Sequence, residues 1–147
     1  MRLAVTGASG KLGRLVVAKL LEQTPVDRLI LISSTPTVMH PGITLRYGDF
    51  ERPETLPDAF TGADRALVIS TIGTRDAAAA HRAAFEAAAR AGVNHIIYTS
   101  VLNPVPGNPF PPALGNMHSE ADLGAGVQQL TDRSPVSLLD MLGDPAL

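Results

Sequence analysis

Residues 3–13 of the chain, LAVTGASGKLG, form an apolar run that leads directly into a turn with glycines at 7, 10 and 13. The amphipathic run that follows carries Leu12, Leu15, Val16 and Leu20. A short buried strand, a glycine-rich turn and a helix start, in this order, present backbone N–H groups at a helix N-terminus, where they can bind a pyrophosphate. This stretch therefore predicts a phosphate-binding turn at the end of the first strand.

Each glycine of this turn is expected to have a separate role. Gly7 allows the tight turn after the strand, Gly10 lets the backbone approach the phosphates, and Gly13 lets the helix pack close to the sheet. The spacing is GxxGxxG rather than GxGxxG, and three glycines in a short stretch can also mark an ordinary loop. The phosphate-binding interpretation is favoured because a second apolar run, residues 29–32, follows at the distance that a βαβ unit requires.

Composition limits the class of protein. A length of 147 residues with 45% hydrophobic content is enough for one domain with a buried core. The formal net charge of −2, with scattered Lys and Arg, argues against a nucleic-acid partner and a membrane-binding patch. The sequence has no cysteine, which excludes disulfides and thiolate metal sites, and no leader pattern or membrane-length apolar run is found. We therefore expect a soluble cytoplasmic domain with no metal.

Predicted strands and helices alternate along the rest of the chain. The predicted strands after the first span 29–32, 43–47, 66–69 and 93–100. The predicted helices run from the glycine turn to near Pro25, over 53–60, and over 75–91 with Thr74 as N-cap, Asp76 in the first turn and Gly92 as the stop. This alternation predicts an α/β fold with a doubly wound parallel sheet of about five strands in the order 3-2-1-4-5, a Rossmann-like architecture.

Small or hydrogen-bonding residues stand at the carboxyl end of every predicted strand. They are Thr6 and Gly7, Ser33 and Ser34, Asp49 and Phe50, Ser70 and Thr71, and Thr99 and Ser100. In doubly wound sheets, ligands bind in the crevice outside the carboxyl ends of the strands. The sequence therefore predicts one continuous polar rim that forms a binding crevice.

Four motifs resemble those of a known family. They are TGASGKLG at 6–13, GDF at 48–50, VISTIG at 68–73 and AARAGVNHIIYTSVLN at 88–103. Together they resemble the atypical short-chain dehydrogenases/reductases, and within that superfamily the NmrA-like group and its NAD(P)H:quinone oxidoreductases. The resemblance implies an NAD(P)-binding Rossmann domain over residues 1–124, followed by a short C-terminal helical tail over 125–147.

The resemblance also implies the position of a cofactor. The glycine turn would hold the pyrophosphate, Asp49 and Phe50 would flank the adenine, and Ser70, Thr71 and Thr99 would lie along the ribose and nicotinamide. The full set of expected cofactor-binding residues is Gly7, Ser9, Gly10, Lys11, Leu12, Gly13, Ser33, Ser34, Asp49, Phe50, Ser70, Thr71 and Thr99. The implied second substrate is a small-molecule acceptor such as a quinone.

The choice between NADP and NAD depends on the residues after the second strand. An Asp or Glu there accepts hydrogen bonds from the ribose 2′-OH of NAD, whereas an Arg pairs with the 2′-phosphate of NADP. This chain has Ser33, Ser34 and Thr35. Lys11 could supply positive charge near this point or could be an ordinary solvated lysine. We expect NADP, with NAD also compatible.

Catalytic residues are not identified by the sequence. Typical members of the superfamily use a Tyr and a Lys four residues later, the Lys lowering the pKa of the Tyr. Neither Tyr47 nor Tyr98 is followed by a Lys at this spacing. His118 could donate a proton or could simply be solvated. His81 and Phe85, one helical turn apart, are expected to be packing and surface positions rather than a site.

The C-terminal part departs from the family pattern. Similar proteins continue after the helix that contains His118 into a sixth strand and a substrate-binding lobe, whereas residues 127–142 here resemble the extreme C-terminus of the family. The fifth strand would then be an apolar sheet edge, so that either the tail covers it, or a second copy does, or the product is marginally stable. A homodimer is compatible with the second of these arrangements. Three functions stay open: NAD(P)H-dependent quinone reduction by hydride transfer, a non-catalytic NADP(H) sensor, and a truncated relative that only binds the cofactor.

Overall fold

The computed structural model describes residues 1–37, 40–71 and 76–99. Five strands and three α-helices lie in these ranges. In chain order they are β1 (Leu3–Val5), α1 (Lys11–Leu21), β2 (Leu29–Ser33), β3 (Thr44–Tyr47), α2 (Leu56–Phe60), β4 (Arg65–Val68), α3 (Ala77–Arg90) and β5 (His95–Tyr98). Short 3₁₀ turns over Val26–Arg28 and Pro53–Thr55 precede β2 and α2.

The strands form one parallel sheet in the order β3-β2-β1-β4-β5, which confirms the predicted topology. Ala4 in the central strand is in register with Ile30 on one side and Ala66 on the other. The chain builds outward from β1 to β3 and then crosses to β4, so the strand order reverses between β1 and β4. In open α/β sheets, ligands bind outside the carboxyl ends of the strands at such a switch point.

Two core clusters cover the two faces of the sheet, because successive strand residues point to opposite sides. One face packs on α2 and α3, in a cluster that includes Ala4, Ile30, Ile32, Val68, Leu56, Phe60 and Phe85. The other face packs on α1, in a cluster that includes Val5, Leu31, Leu67 and Val17. Helices on both faces explain why the central strands are apolar runs rather than alternating patterns.

The apolar side of α1 differs from the prediction. Leu12 and Leu15 are 46% and 70% exposed, whereas Gly13 and Val17 are buried. The side chains that pack toward the sheet are Val16, Val17, Leu20 and Leu21. The helical period of 3.6 residues puts positions 13, 17 and 20 on one face, and positions 12 and 15 lie outside it. The sequence pattern was wrong about these two leucines and right about Val16 and Leu20.

The start of α3 also differs from the prediction. The helix begins at Ala77, and Asp76 is its N-cap: the Asp76 carboxylate accepts a hydrogen bond from the Ala79 N–H at 3.0 Å. The prediction of Thr74 as N-cap, with the helix starting at position 75, was therefore wrong, and Thr74 itself lies outside the described residues. A carboxylate at the N-cap satisfies an N–H group of the first turn, which is why the helix starts there. Gly92, with φ of +87°, follows the helix as expected.

The remaining predicted strands are confirmed with boundaries shifted by one or two residues. The helix predicted over 53–60 is a 3₁₀ turn over Pro53–Thr55 followed by α2, and α1 ends at Leu21, about four residues before the predicted end near Pro25. Ser100, the loop predicted up to residue 114, the helix with His118, the predicted boundary at 124 and the tail over 125–147 lie outside the described residues. Among the helices that are described, none has both the length and the apolar character that a membrane span requires.

Candidate functional site

A crevice of about 550 Å³ lies at the carboxyl end of the sheet. It is lined by Gly7, Gly10, Lys11, Leu12, Gly13, Ser34, Gly48, Asp49, Phe50, Glu51, Ile69, Ser70 and Thr71. Its volume is in the range of small-molecule and cofactor sites. Most of the residues expected to contact a cofactor therefore surround one space at the switch point of the sheet.

Three lining residues were missed by the sequence analysis: Gly48, Glu51 and Ile69. Gly48 is the first residue of the GDF motif and Glu51 directly follows the motif. Their position next to predicted site residues could have identified them. Ile69 was assigned to the fourth strand, but β4 ends one residue earlier, at Val68. An apolar residue just beyond a strand was not distinguishable from the strand itself by its hydrophobicity.

The glycine turn has the geometry that the sequence predicted. Gly7 has φ of +60°, in the left-handed region that glycine adopts without strain. A Cβ on Gly13 would overlap the Gly7 carbonyl oxygen and lie 2.8 Å from the Ala8 Cα. A Cβ on Gly10 would lie 3.2 Å from the same carbonyl oxygen. Gly13 therefore permits the close contact between α1 and the turn, and a larger residue would push the helix away.

The N-terminus of α1 faces this crevice. Its N-cap is Gly10, no side chain of the described residues caps it, and its first turn has no acidic residue. The first N–H groups of a helix have no acceptor within the helix, and the helix dipole is positive at this end. Lys11 lies in the same wall. The turn therefore offers uncapped donors and positive charge to an anionic group such as a pyrophosphate.

Three hydroxyl groups join the glycine turn to the end of β2. The Ser9 Oγ lies 2.6 Å from the Ser33 Oγ and 3.2 Å from the Thr35 Oγ1, and the Thr35 N–H donates to the Ser33 Oγ at 3.1 Å. Of the two neighbouring residues Ser33 and Ser34, Ser33 is buried and Ser34 lines the crevice. Ser9 and Ser33, both expected cofactor contacts, thus hold two parts of the wall together.

Arg14 adds a second cation to this region that the sequence analysis did not identify. Its Nε donates a hydrogen bond to the Ser9 carbonyl oxygen at 2.8 Å, which holds the guanidinium beside the glycine turn. The sequence feature that could have identified Arg14 was its position one helical turn after Lys11. Neither Asp nor Glu is present at positions 33–35, so the charge near Ser9 is positive.

Three consecutive N–H groups just after β4 are each bound by a side chain from another element. The bonds are Ile69 N–H to Thr6 Oγ1 at 2.9 Å, Ser70 N–H to Thr99 Oγ1 at 2.8 Å, and Thr71 N–H to His81 Nε2 at 3.1 Å. The acceptors follow β1, follow β5 and belong to α3. The Thr99 hydroxyl accepts the Ser70 N–H and so supports the backbone of the crevice wall, and its expected contact with the cofactor stays a prediction. Residues 69–71, the supported segment, are thereby each anchored by a side chain from another part of the fold.

His81 is buried, with 2% of its surface exposed, and burial lowers its pKa. Its Nδ1 lies 3.2 Å from the Tyr98 hydroxyl, and its ring packs edge-on against Phe50 with the ring centroids 5.9 Å apart. Phe85 is buried as well and packs on Tyr98. The expectation that His81 and Phe85 are packing positions is confirmed, and the expectation that they lie at the surface was wrong.

Acidic residues line a different part of the crevice. Asp49 and Glu51 belong to the loop after β3, where the Asp49 Oδ1 accepts a hydrogen bond from the Glu51 N–H at 3.0 Å. The Asp49 N–H in turn donates to the Thr55 Oγ1 at 3.0 Å. Within residues 1–37, 40–71 and 76–99, no group of His, Asp and Glu is arranged to hold a metal ion.

The fold and the crevice together define a dinucleotide-binding α/β domain. A family model described as NAD(P)H-binding matches residues 7–128, and the chain belongs to this family. The resemblance to NAD(P)H-binding reductases that the motifs indicated is thus confirmed.

Three comparisons define the relatives. The chain is 32% identical over 124 residues to quinone oxidoreductase 2 of Escherichia coli, which covers 82% of this chain and 42% of that protein. The triphenylmethane reductase of Citrobacter sp., solved in complex with NADP(H), superposes with a TM-score of 0.74 and 31% identity over 88% of this chain and 46% of that one. The NADPH complex of the Escherichia coli NADPH-dependent quinone oxidoreductase gives a TM-score of 0.72 and 31% identity over 84% and 45%. The chain therefore spans less than half the length of these relatives.

Proposed function

We propose that this chain is an oxidoreductase that uses NADPH to reduce a quinone by hydride transfer. The observation that carries the proposal is the crevice built on an uncapped glycine turn, in a chain 32% identical to a quinone oxidoreductase over 82% of its length. When bound, NADPH supplies the hydride. The protein residues bind and orient it.

The expected contacts follow from the walls of the crevice. The N–H groups that begin α1, together with Lys11, would hold the pyrophosphate. Asp49 and Phe50 would flank the adenine, and Ser70 and Thr71 of the supported segment would lie along the ribose and nicotinamide. Because Gly7, Gly10 and Gly13 line the crevice without a Cβ, the residues present fit a group that approaches the backbone closely.

Preference for NADPH over NADH is proposed from the charges near Ser9. The Arg14 guanidinium is held beside the Ser9 carbonyl oxygen, and positions 33–35 carry hydroxyl groups rather than a carboxylate. A 2′-phosphate would be attracted by a guanidinium and would meet no repelling charge at these three positions. NADH lacks this phosphate and would gain nothing from Arg14.

Reduction of a quinone to a hydroquinone requires one hydride and one proton. The Tyr–Lys pair that delivers protons in typical short-chain dehydrogenases does not occur at either tyrosine of this chain. Tyr98 is in contact with the buried His81. We therefore propose that solvent protonates the oxygen of the reduced quinone, so that the protein residues position the reactants without acting as the acid.

The test is oxidation of NADPH by the purified chain with a panel of benzoquinones and naphthoquinones, followed by the loss of reduced-nicotinamide absorbance. We expect turnover that depends on both the quinone and NADPH, and that is slower with NADH. The Gly13→Ala variant is the negative control, because it should lose cofactor binding and turnover together. NADPH binding without turnover on any quinone would contradict the enzymatic part of the proposal.

A second candidate function is a non-catalytic sensor of the NADPH/NADP ratio, favoured by the missing Tyr–Lys pair. A ligand shifts a conformational equilibrium only through differential affinity. Calorimetric titration with NADPH and with oxidised NADP should therefore give clearly different dissociation constants if the chain is a sensor. Equal constants would contradict this function. A cytoplasmic location and a homodimer stay predictions from the sequence, the second to be tested by the solution mass.

A further inference from the structure

We infer that His81 is a positioning residue of the cofactor crevice, and that its neutral imidazole holds the two walls formed by Thr71 and Phe50 in the conformation that binds NADPH. The inference rests on the proposed cofactor site and adds to it a residue that does not line the crevice. His81 lies beneath this site, on α3, and its ring contacts both walls.

The hydrogen bonds of His81 define its protonation state. The Thr71 backbone N–H can only donate, so the Nε2 at 3.1 Å must accept and carries no proton. In the neutral ring the proton is then on Nδ1, where it donates to the Tyr98 hydroxyl at 3.2 Å. The contacts are therefore satisfied by one of the two neutral tautomers.

The same ring joins three parts of the sheet edge. It binds the segment after β4 through Thr71, packs on the loop after β3 through Phe50, and contacts β5 through Tyr98. Phe50 and Thr71 both line the crevice. The base of this arrangement is α3, a helix of 14 residues with a carboxylate N-cap. A change at His81 should therefore move two walls of the site at once.

Protonation would break this arrangement. A doubly protonated imidazole would turn an Nε2–H toward the Thr71 N–H, and two donors cannot bond to each other. Burial lowers the pKa of His81, so the neutral form is maintained at neutral pH. The binding-competent form is then lost only as the pH falls through this lowered pKa, which lies below the usual histidine value of about 6.5.

Other titratable groups near this ring come from three elements. The Tyr98 hydroxyl from β5 contacts the ring directly. Asp49 and Glu51 belong to the loop that carries Phe50, and Arg82 follows His81 on α3. The test must therefore separate the titration of His81 from that of these groups.

The experiment measures the NADPH dissociation constant of wild type, His81→Gln and His81→Phe between about pH 5.5 and 8, around the histidine pKa. In wild type we expect constant affinity down to the lowered pKa of His81, which lies below ~6.5, and a loss approaching about tenfold per pH unit once the pH falls through that pKa. His81→Gln supplies an amide oxygen that can accept the hydrogen bond from the Thr71 N–H and does not titrate. The loss of affinity at low pH that His81 causes should therefore vanish in this variant. His81→Phe keeps the ring but not the acceptor, and affinity should fall about tenfold at every pH.

Two controls make the result specific. His40→Gln makes the same substitution at an exposed position outside the crevice, and its pH profile should match wild type. The 2′-phosphate of NADPH also titrates near pH ~6, but this contribution is the same in all four proteins and cancels in the comparison. Cooperative thermal unfolding at each pH establishes that the proteins are folded.

A titration of the wild-type histidine ring signals by NMR gives an independent readout without any substitution. By linkage, a ligand that prefers the neutral ring must lower the pKa of His81 when it binds. NADPH should therefore shift the His81 titration to lower pH. Identical pH profiles for wild type and His81→Gln, or an unchanged His81 titration, would overturn the inference. Wild type that binds no NADPH at pH ~8, where the ring is neutral, would refute the proposed function itself and with it this role.

Discussion

The Ser9 hydroxyl lies 2.6 Å from the Ser33 hydroxyl, although the two residues are 24 positions apart in the chain. Ser9 belongs to the glycine turn and Ser33 ends β2, so this contact joins the wall expected to hold the pyrophosphate to the wall expected to meet the adenosine ribose. Arg14 binds the same turn through the Ser9 carbonyl oxygen. The phosphate-binding and specificity parts of the site are therefore one connected structure, which the following predictions test separately.

Substitution of Gly13 should damage the turn more than substitution of Gly10. A Cβ at position 13 overlaps the Gly7 carbonyl oxygen, whereas one at position 10 lies 3.2 Å from it. We expect Gly13→Ala to lower the free energy of unfolding by about 1–3 kcal/mol, as for other overpacked sites, and to abolish detectable NADPH binding. Gly10→Ala, the matched control, should have a smaller effect on both quantities. Urea unfolding and calorimetry measure them, and equal losses in the two variants would contradict this account of the turn.

Removal of the Arg14 charge should discriminate between the two nicotinamide cofactors. The guanidinium is held beside the glycine turn by its bond to the Ser9 carbonyl oxygen, where it can pair with a 2′-phosphate. We expect Arg14→Gln to weaken NADPH binding about tenfold and to change NADH binding little. Arg90→Gln makes the same change on an exposed part of α3 and should affect neither cofactor. If Arg14→Gln weakened NADPH and NADH equally, the proposed phosphate contact would be wrong.

A carboxylate at position 34 should shift the preference toward NADH. Ser34 is exposed, lines the crevice and follows β2, where an acidic residue accepts hydrogen bonds from the ribose 2′-OH and repels a 2′-phosphate. We expect Ser34→Asp to raise the ratio of the NADPH to the NADH dissociation constant by at least about tenfold, the effect of 1.4 kcal/mol. Ser34→Asn has a similar size without the charge and should change the ratio far less. An unchanged ratio in Ser34→Asp would show that the 2′-position of the cofactor ribose does not lie next to Ser34.

Burial of His81 should make the stability of the apo protein depend on pH. Because the folded-state pKa is lowered by desolvation, the unfolded chain takes up this proton first as the pH falls. The contribution is fully present above the unfolded pKa of about 6.5 and decreases as the pH falls below it. Urea unfolding across this range should show the decrease in wild type and in His40→Gln, and a smaller decrease in His81→Gln. The same slope in all three proteins would show that other groups are responsible.

Much of the fold could be predicted from the sequence because its signals are local. The apolar runs that became β1, β2 and β4, the glycines that end or begin helices, and the short connections between them define successive βαβ units. Right-handed crossovers then leave few strand orders, and the observed order β3-β2-β1-β4-β5 is the one expected. The position of the crevice follows from that order.

The predictions that failed concern which way a side chain points. Leu12 and Leu15 were assigned to the apolar side of α1, but the contact of Gly13 with the turn sets the rotation of this helix and leaves both leucines exposed. His81 and Phe85 were expected to lie partly at the surface, but both are buried, with His81 bound to the Thr71 N–H and Phe85 packed on Tyr98. These outcomes depend on groups from distant parts of the chain, and a local pattern does not contain them.

Local patterns were enough to predict the strand order, the glycine turn and the class of ligand, because hydrophobic periodicity and glycine placement act over a few residues. The way in which the walls of the crevice are supported depends instead on tertiary packing. Ile69, Ser70 and Thr71 donate to side chains from three other elements, and one of these acceptors, His81, lies 10 positions beyond its partner, on α3. A backbone N–H beyond the end of a strand needs an acceptor, and which side chain supplies it is settled only when the packed elements meet.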